Sequence, residues 1–432
     1  MKRSWNVWIG LLVMAMMLAI AGCGGGSQSG GSDDSGDTKI TKKFEGVTVK
    51  AKSYAFVGPD NPAIYAAIKE FEDKYGGKVE WEVIGWGQDH KLLPAAVAAG
   101  DVWDLQYAEA FQVFPTWMSE GLIQPIEPYV DLKDPMFNGA LAGATYRGKV
   151  YGVRPIEAQG PYVVNYNKTL FQEMGVKTPY EYYKEGNWNY NTMMDIMIKM
   201  TKDTDGDGKP DIYGINYHFG VLYNLIVSNG GYVVKIKEDG TLESVWDSPN
   251  NREALQFMQD MFFKNKVAMS TTNEREQMFY ARKYALYPEA PLTLKLKPNA
   301  DHKDELGFVP WPAGPSTNGK YITPINYSYW VIPAGAKNPQ AAGVLAMLIS
   351  KYEKDLNYNR VKDALKDNPE QMKVYDEILA NIAPDVRQKI PGIKMPSMGE
   401  IYNDGKPVAT TIAEQNAQLQ AQINEYNAKV KK

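Results

Sequence analysis

Asp203-Thr204-Asp205-Gly206-Asp207-Gly208-Lys209-Pro210-Asp211 places four carboxylates within one short segment. Acids at loop positions 1, 3, 5 and 9, with glycine at 6, follow the pattern that folds oxygen ligands around a calcium ion. Asp203, Asp205, Asp207 and Asp211 would supply carboxylate oxygens, and Lys209 its backbone carbonyl. The pattern breaks where Gly214 stands in place of the usual bidentate glutamate, which predicts a weak site or a ligand from elsewhere in the chain. The expected cofactor is a structural Ca2+, because four acids this close repel one another unless a cation neutralises them. The alternative reading is an acidic turn.

A second set of residues joins aromatic rings to carboxylates and amides at predicted loop tips. It comprises Trp86, Gln88 and Asp89, then Tyr107 and Glu109, Glu157 and Tyr162, Glu289, and finally Tyr329 and Trp330. Aromatic rings cover the flat C–H faces of a sugar, and carboxylates and amides bond its hydroxyl rim. Each has a plainer alternative: core packing for Trp86 and Trp330, a solvated acid for Glu109 and Glu157. Trp81, Trp188 and Trp311 read as structural. Glu109 and Glu157 together raise the possibility of a glycosidase pair, but no catalytic signature surrounds them, and no phosphate loop or nucleophile motif stands in a fitting context. The chain is therefore expected to bind and not to catalyse.

These tips need a scaffold. Residues 47–51 and 78–84 alternate as strands, 61–75 carries apolar residues at helical spacing, 91–99 is a second helix closed by Gly100, and 104–107 is a third strand. Strand-helix-strand-helix-strand predicts a parallel sheet with crossover helices, whose ligands sit beyond the carboxyl ends of the strands. Further strands are expected at 163–166, 285–287 and 329–332, and helices at 191–202, 252–265, 340–350, 369–380 and 408–429. The fold class is α/β.

Cys23, the sole cysteine, follows Leu18-Ala19-Ile20-Ala21-Gly22 and an apolar run from Val7, with Lys2 and Arg3 ahead of it. Small residues before a lone cysteine resemble the lipobox of bacterial lipoproteins. The resemblance implies that residues 1–22 are a signal peptide and that Cys23 is acylated, with palmitate among the lipids. The alternative is an ordinary secretory signal. Residues 24–38, rich in Gly, Ser and Asp, cannot bury apolar surface, so 23–45 is expected to be a flexible tether. Losing Lys2 and Arg3 takes the formal charge from −4 to −6, which gives no broad electrostatic reason to bind nucleic acid. His90, His218 and His302 are scattered, which disfavours a histidine-built metal site.

Several stretches, in order, resemble extracellular solute-binding protein family 1, the receptors of carbohydrate ABC importers. They are Leu93 to Leu105, with Trp103 in place of the usual proline; Gly121-Leu122-Ile123-Gln124-Pro125-Ile126; Tyr146 to Arg154; Tyr166 to Gly175; and Asn338-Pro339-Gln340-Ala341-Ala342. The resemblance implies a two-lobe, periplasmic-binding-protein-like fold with a ligand cleft and a hinge. By the same analogy the N-lobe takes 46–155 plus 282–330, and the C-lobe 156–281 plus 331–432. It further implies a monomer, anchored by lipid on the outer face of the cell membrane. It would bind a carbohydrate, an oligosaccharide or glycoside by its aromatics, and deliver it to ABC permease subunits. A receptor for a peptide or other solute, a non-transport adhesin or sensor, and least of all a glycoside hydrolase are the alternatives.

Overall fold

The computed structural model describes residues 43–54, 61–217, 219–270, 273–291, 303–384 and 389–430. The signal peptide, Cys23 and the tether up to residue 42 lie outside the described residues, as do His218 and His302. Structure begins slightly earlier than expected: Phe44 is buried and stacks on Phe71 at 5.8 Å.

The first lobe is built on β1 (Thr48–Ser53), α1 (Pro62–Tyr75), β2 (Lys78–Val83), α2 (Asp89–Ala99) and β3 (Leu105–Glu109). Helix α1 buries Ala63, Ile64, Ala67, Phe71 and Tyr75, the helical spacing read from the sequence. It stops at Gly76, whose left-handed φ of 77° lets its N–H return to the carbonyl of Glu72 at 3.1 Å. The three strands run parallel in the order β2-β1-β3, with Thr48 opposite Lys78 and Ala51 opposite Leu105. The lobe continues through β4 (Ile123–Gln124), a hairpin of β5 (Thr145–Tyr146) and β6 (Lys149–Val150), and β7 (Gly152–Val153).

The second lobe starts at β8 (Val163–Asn167) and runs through α3 (Tyr190–Met200), β9 (Tyr213–Tyr217), a hairpin of β10 (Val234–Ile236) and β11 (Leu242–Ser244), α4 (Pro249–Gln259), β12 (Ala268–Ser270), β13 (Tyr284–Glu289) and β14 (Leu306–Val309). Its sheet has the order β12-β9-β13-β8-β14. Its core holds Trp188, Trp246 and Trp311, all fully buried. Trp188 donates Nε1 to the carbonyl of Pro310 at 2.8 Å, which bears out the structural reading of this residue and of Trp311.

The chain then returns. After β15 (Thr323–Ile325), β16 (Ser328–Pro333) inserts into the first sheet, antiparallel to β3, β4 and β7. Helix α5 (Pro339–Leu365) packs on α1, and α6 (Pro369–Ala380) joins it to the second lobe by burying Val374, Tyr375 and Ile378 against Val163 and Phe308. Strand β17 (Ile382–Pro384) and α7 (Val408–Val430) finish the second lobe.

Strand pairing thus corrects the expected lobe boundaries. Residues 284–309 belong to the second sheet through β13 and β14, and 328–365 belong to the first lobe through β16 and α5. Which sheet a strand joins is decided by partners far away in sequence, which local alternation does not reveal.

Candidate functional site

Three chain crossings lie side by side between the lobes. Pro161 bridges Ile325 antiparallel, and β15 pairs with β17 in parallel from Thr323–Ile382 to Ile325–Pro384. The amide of Tyr162 donates to Pro324 O at 3.0 Å, and Gln159 grips Ser328 through Nε2 to O (2.9 Å) and N to Oε1 (3.0 Å). Few-residue connections of this kind absorb the dihedral change of lobe closure.

Beside the crossings lies a cavity of about 360 Å3, within the range of small-molecule sites, about 300–1,000 Å3. The first lobe lines it with Phe111, Phe114 and Thr145, the second with Tyr232, Lys235 and Ile236, and the crossings with Asn326 and Tyr327. Each wall has a local cause. The end of β3 turns into a short helix whose Ala110 amide donates to Tyr327 O at 2.8 Å. Phe114 O accepts from the Lys389 amide at 2.9 Å, and its ring stacks on Tyr329 at 5.8 Å. Asn251 Nδ2 donates to Tyr232 O at 2.7 Å and fixes the approach to β10. Burial raises the Tyr232 hydroxyl above its ordinary pKa, so it stays a neutral donor. Asn326 Oδ1 is buried and has no hydrogen-bond partner among the described residues, an acceptor available to a ligand hydroxyl. Gly143 is required here: a Cβ would meet the Tyr329 hydroxyl at 2.6 Å.

The sequence-predicted residues separate into groups. Trp86 is 66% exposed at the carboxyl end of β2, and its Nε1 donates to Glu109 Oε2 at 3.2 Å. Glu109 also accepts from Gln112 Nε2. Gln88 turns back to accept from the Gly85 amide at 3.1 Å. Asp89 is fully buried; Oδ1 accepts from the His90 amide at 3.0 Å, while Oδ2 has no partner among the described residues. Burial pushes its carboxyl above the usual range. These residues, with Tyr107, form one cluster where the parallel strands end, next to the cavity wall at Ala110 and Phe111. Glu157 faces Lys354 at 3.8 Å and Glu289 pairs with Arg275 at 3.3 Å. Tyr162 sits in the first crossing.

Tyr329 and Trp330 are corrected. Both are 0% exposed. The Tyr329 hydroxyl donates to Ala140 O at 2.9 Å. Trp330 packs on Trp81 and Tyr107 and donates Nε1 to Glu353 Oε2 at 3.3 Å. An aromatic pair at a crossing resembles cleft residues in sequence, but β16 is a central strand covered on both faces.

Arg154, noted in the sequence only within a motif, organises this region. Its guanidinium grips Glu353 in two parallel bonds, Nε to Oε2 at 2.9 Å and Nη2 to Oε1 at 2.8 Å. Nη1 donates to Ser328 Oγ and, at 3.3 Å, to the Tyr107 hydroxyl. First crossing, second crossing, α5 and the end of β3 thereby share one charged node. Sequence reading also missed Phe114, Tyr232 and Lys235, because only the second lobe's hairpin approach brings them to one cavity.

In the acidic loop, Asp203, Asp205 and Asp211 bring carboxylate oxygens within 4.8 Å of one another. Asp207 is not in that group; it accepts from the Lys209 amide at 2.8 Å. Asp203 accepts from Gly206 and Gly208 amides at 2.7 and 2.8 Å, and Asp211 from the Thr204 amide at 2.7 Å. The glycine amides hold the Asp203 carboxyl below the usual range, and the Thr204 hydroxyl, followed by its amide, does the same for Asp211.

Two α/β lobes joined by three crossings, with an aromatic-walled cavity between them, define a two-lobe binding protein. The chain belongs to the bacterial extracellular solute-binding protein family, which it matches over residues 58–351. The family binds solutes, so the chain is not an enzyme, and it works outside the cytoplasm. It is 26% identical to the polygalacturonan/rhamnogalacturonan-binding protein YtcQ of Bacillus subtilis over 246 residues, 54% of this chain and 45% of that protein. It is 25% identical to a carbohydrate ABC transporter substrate-binding protein of Streptococcus pneumoniae over 280 residues, 60% of this chain and 52% of that protein. The chain thus spans about half the length of these curated relatives. The solved structure of the sugar-binding protein MalE from Xanthomonas citri aligns with a TM-score of 0.68 at 16% identity, over 89% of this chain and 100% of that one. That likeness is one of fold.

Proposed function

We propose that this chain is a receptor that binds a carbohydrate between its lobes and delivers it to the permease of an ABC importer. The observation that carries the reading is the aromatic-walled cavity at the hinge, with Phe111, Tyr232 and Tyr327 placed to cover sugar faces and Asn326 to accept a hydroxyl. The names of the two relatives, one a polygalacturonan/rhamnogalacturonan-binding protein and one a carbohydrate ABC transporter substrate-binding protein, agree with it. Closure of the lobes on ligand would favour the conformation that docks on the permease, a population shift driven by differential affinity. A ligand that binds only the folded state raises Tm by mass action. A thermal-shift screen of the intact chain against mono- and oligosaccharides should therefore show a rise with at least one class, and a flat response across a broad panel would refute the reading.

Two further features belong to the same proposal. The lipobox-like sequence around Cys23 supports a lipoprotein on the outer face of the membrane, since two or more acyl chains anchor stably where one does not. Palmitate labelling that persists in a Cys23→Ala variant would contradict it. The converging carboxylates of Asp203, Asp205 and Asp211 support a structural calcium ion, with Asp207 and the Lys209 carbonyl as further donors by sequence pattern.

A further inference from the structure

The charge distribution of the cleft carries an inference about the kind of saccharide it takes. Among the described residues lining the cavity, Lys235 is the cation and there is no carboxylate. The acids expected to bond sugar hydroxyls are engaged by the protein itself: Glu109 by Trp86 and Gln112, Glu157 by Lys354, Glu289 by Arg275. The Lys235 side chain has no ion pair or hydrogen bond among the described residues. It stands exposed on β10, directly opposite Glu243 in the hairpin register. That glutamate faces Lys237, at 3.5 Å, and Lys235 has no ion-pair partner among the described residues. A second cation marks the same lip. Arg147, two residues beyond the lining Thr145, lies over the Tyr146 ring at 5.5 Å and against the second lobe's turn, where a Cβ on Gly240 would meet its Nε at 2.3 Å. Beside apolar and aromatic walls, this exposed ammonium supplies the one positive charge among the described lining residues, and its attraction for an anion weakens with salt.

We propose that the saccharide bound here is acidic, a sugar carrying a carboxylate or sulfate, and that Lys235 selects it by pairing with that group while the aromatic walls hold the ring. The proposal rests on the carbohydrate-receptor reading above. The chemistry shared by the two kinds of ligand is one negative charge beside a sugar face, and the test separates them.

Isothermal titration of the intact chain would compare di- and trisaccharides of galacturonate and glucuronate with their methyl esters, and sulfated disaccharides with their desulfated forms. The charged member of one pair should bind about tenfold or more tighter than its neutral counterpart, the scale of one charge-assisted hydrogen bond. Lys235→Gln should bring the acidic saccharide down to the affinity of the neutral one, Lys235→Arg should keep the preference, and added salt should shrink it. Lys235 is exposed, so both variants should melt with wild type. Neutral saccharides binding as tightly as their acidic partners would overturn the selectivity and leave the receptor reading standing. Binding by no saccharide of either kind would overturn both.

Discussion

Asp89 shows how one side chain can report on the site. In the first turn of α2 it accepts from the His90 amide with one oxygen and leaves the other buried without a partner among the described residues, close enough to Glu109 and to the buried Tyr54 hydroxyl to feel both. Because burial raises its pKa, the folded state holds this proton more tightly than the unfolded chain does. Its contribution to stability is therefore largest at low pH and falls as pH rises through the ordinary carboxylate value towards the raised one. Asp89→Asn keeps an oxygen to accept from the His90 amide and removes the charge. The variant should be more stable than wild type by about 1 kcal/mol at pH 7, with the gain shrinking towards pH 4, as read by urea denaturation across that range. A destabilised variant at pH 7 would show that the carboxylate has a partner in solution. The sequence marked Asp89 for its place after a strand. It could not show that one oxygen is orphaned, because that depends on what α2 and β3 close over it. Trp330 illustrates the opposite error: the residue type suits a sugar face, but burial of β16 on both sides makes it core.

At the scale of elements, the short-range pattern carried most of the fold. Pro62 and Gly76 bracket α1 in the structure as they do in the sequence, and the strand expected at 78–84 forms as β2, with Val79 and Trp81 half-buried but Val83 exposed. Helix α5 runs on to Leu365, well past the expected end at 350, because Glu353, Val361 and Leu365 turn inward from an otherwise charged segment. The inward glutamate makes sense only with Arg154, 199 positions away in sequence. The acidic loop follows α3, and its cluster is one carboxylate smaller than the spacing predicted, since Asp207 turns to cap Lys209. Weak sites fill at millimolar calcium. Tm is accordingly expected to be higher in millimolar calcium than in excess chelator, and Asp205→Asn should abolish the difference. An identical Tm in both conditions would make this an acidic turn held by its own backbone amides.

At the scale of the whole molecule, two sheets built from interleaved stretches of chain meet at three crossings, and the cavity beside them belongs to neither lobe alone. That is why the cavity was the least legible feature of the sequence. Motifs in order implied the two-lobe architecture, and loop tips after parallel strands implied Trp86 and Glu109 at one rim. Phe111 and the neighbouring Tyr232 and Lys235 come from segments more than a hundred residues apart and meet only through the hinge. The most direct measurement is the affinity of an oligosaccharide identified by thermal shift, taken by isothermal titration on wild type and on Tyr232→Ala and Phe111→Ala, one aromatic from each lobe. Loss of one aromatic face should weaken binding about tenfold in each variant, on the order of 1 kcal/mol or more of stacking and burial. Wild-type affinity in both variants would place the saccharide somewhere other than this cleft and contradict the interlobe receptor.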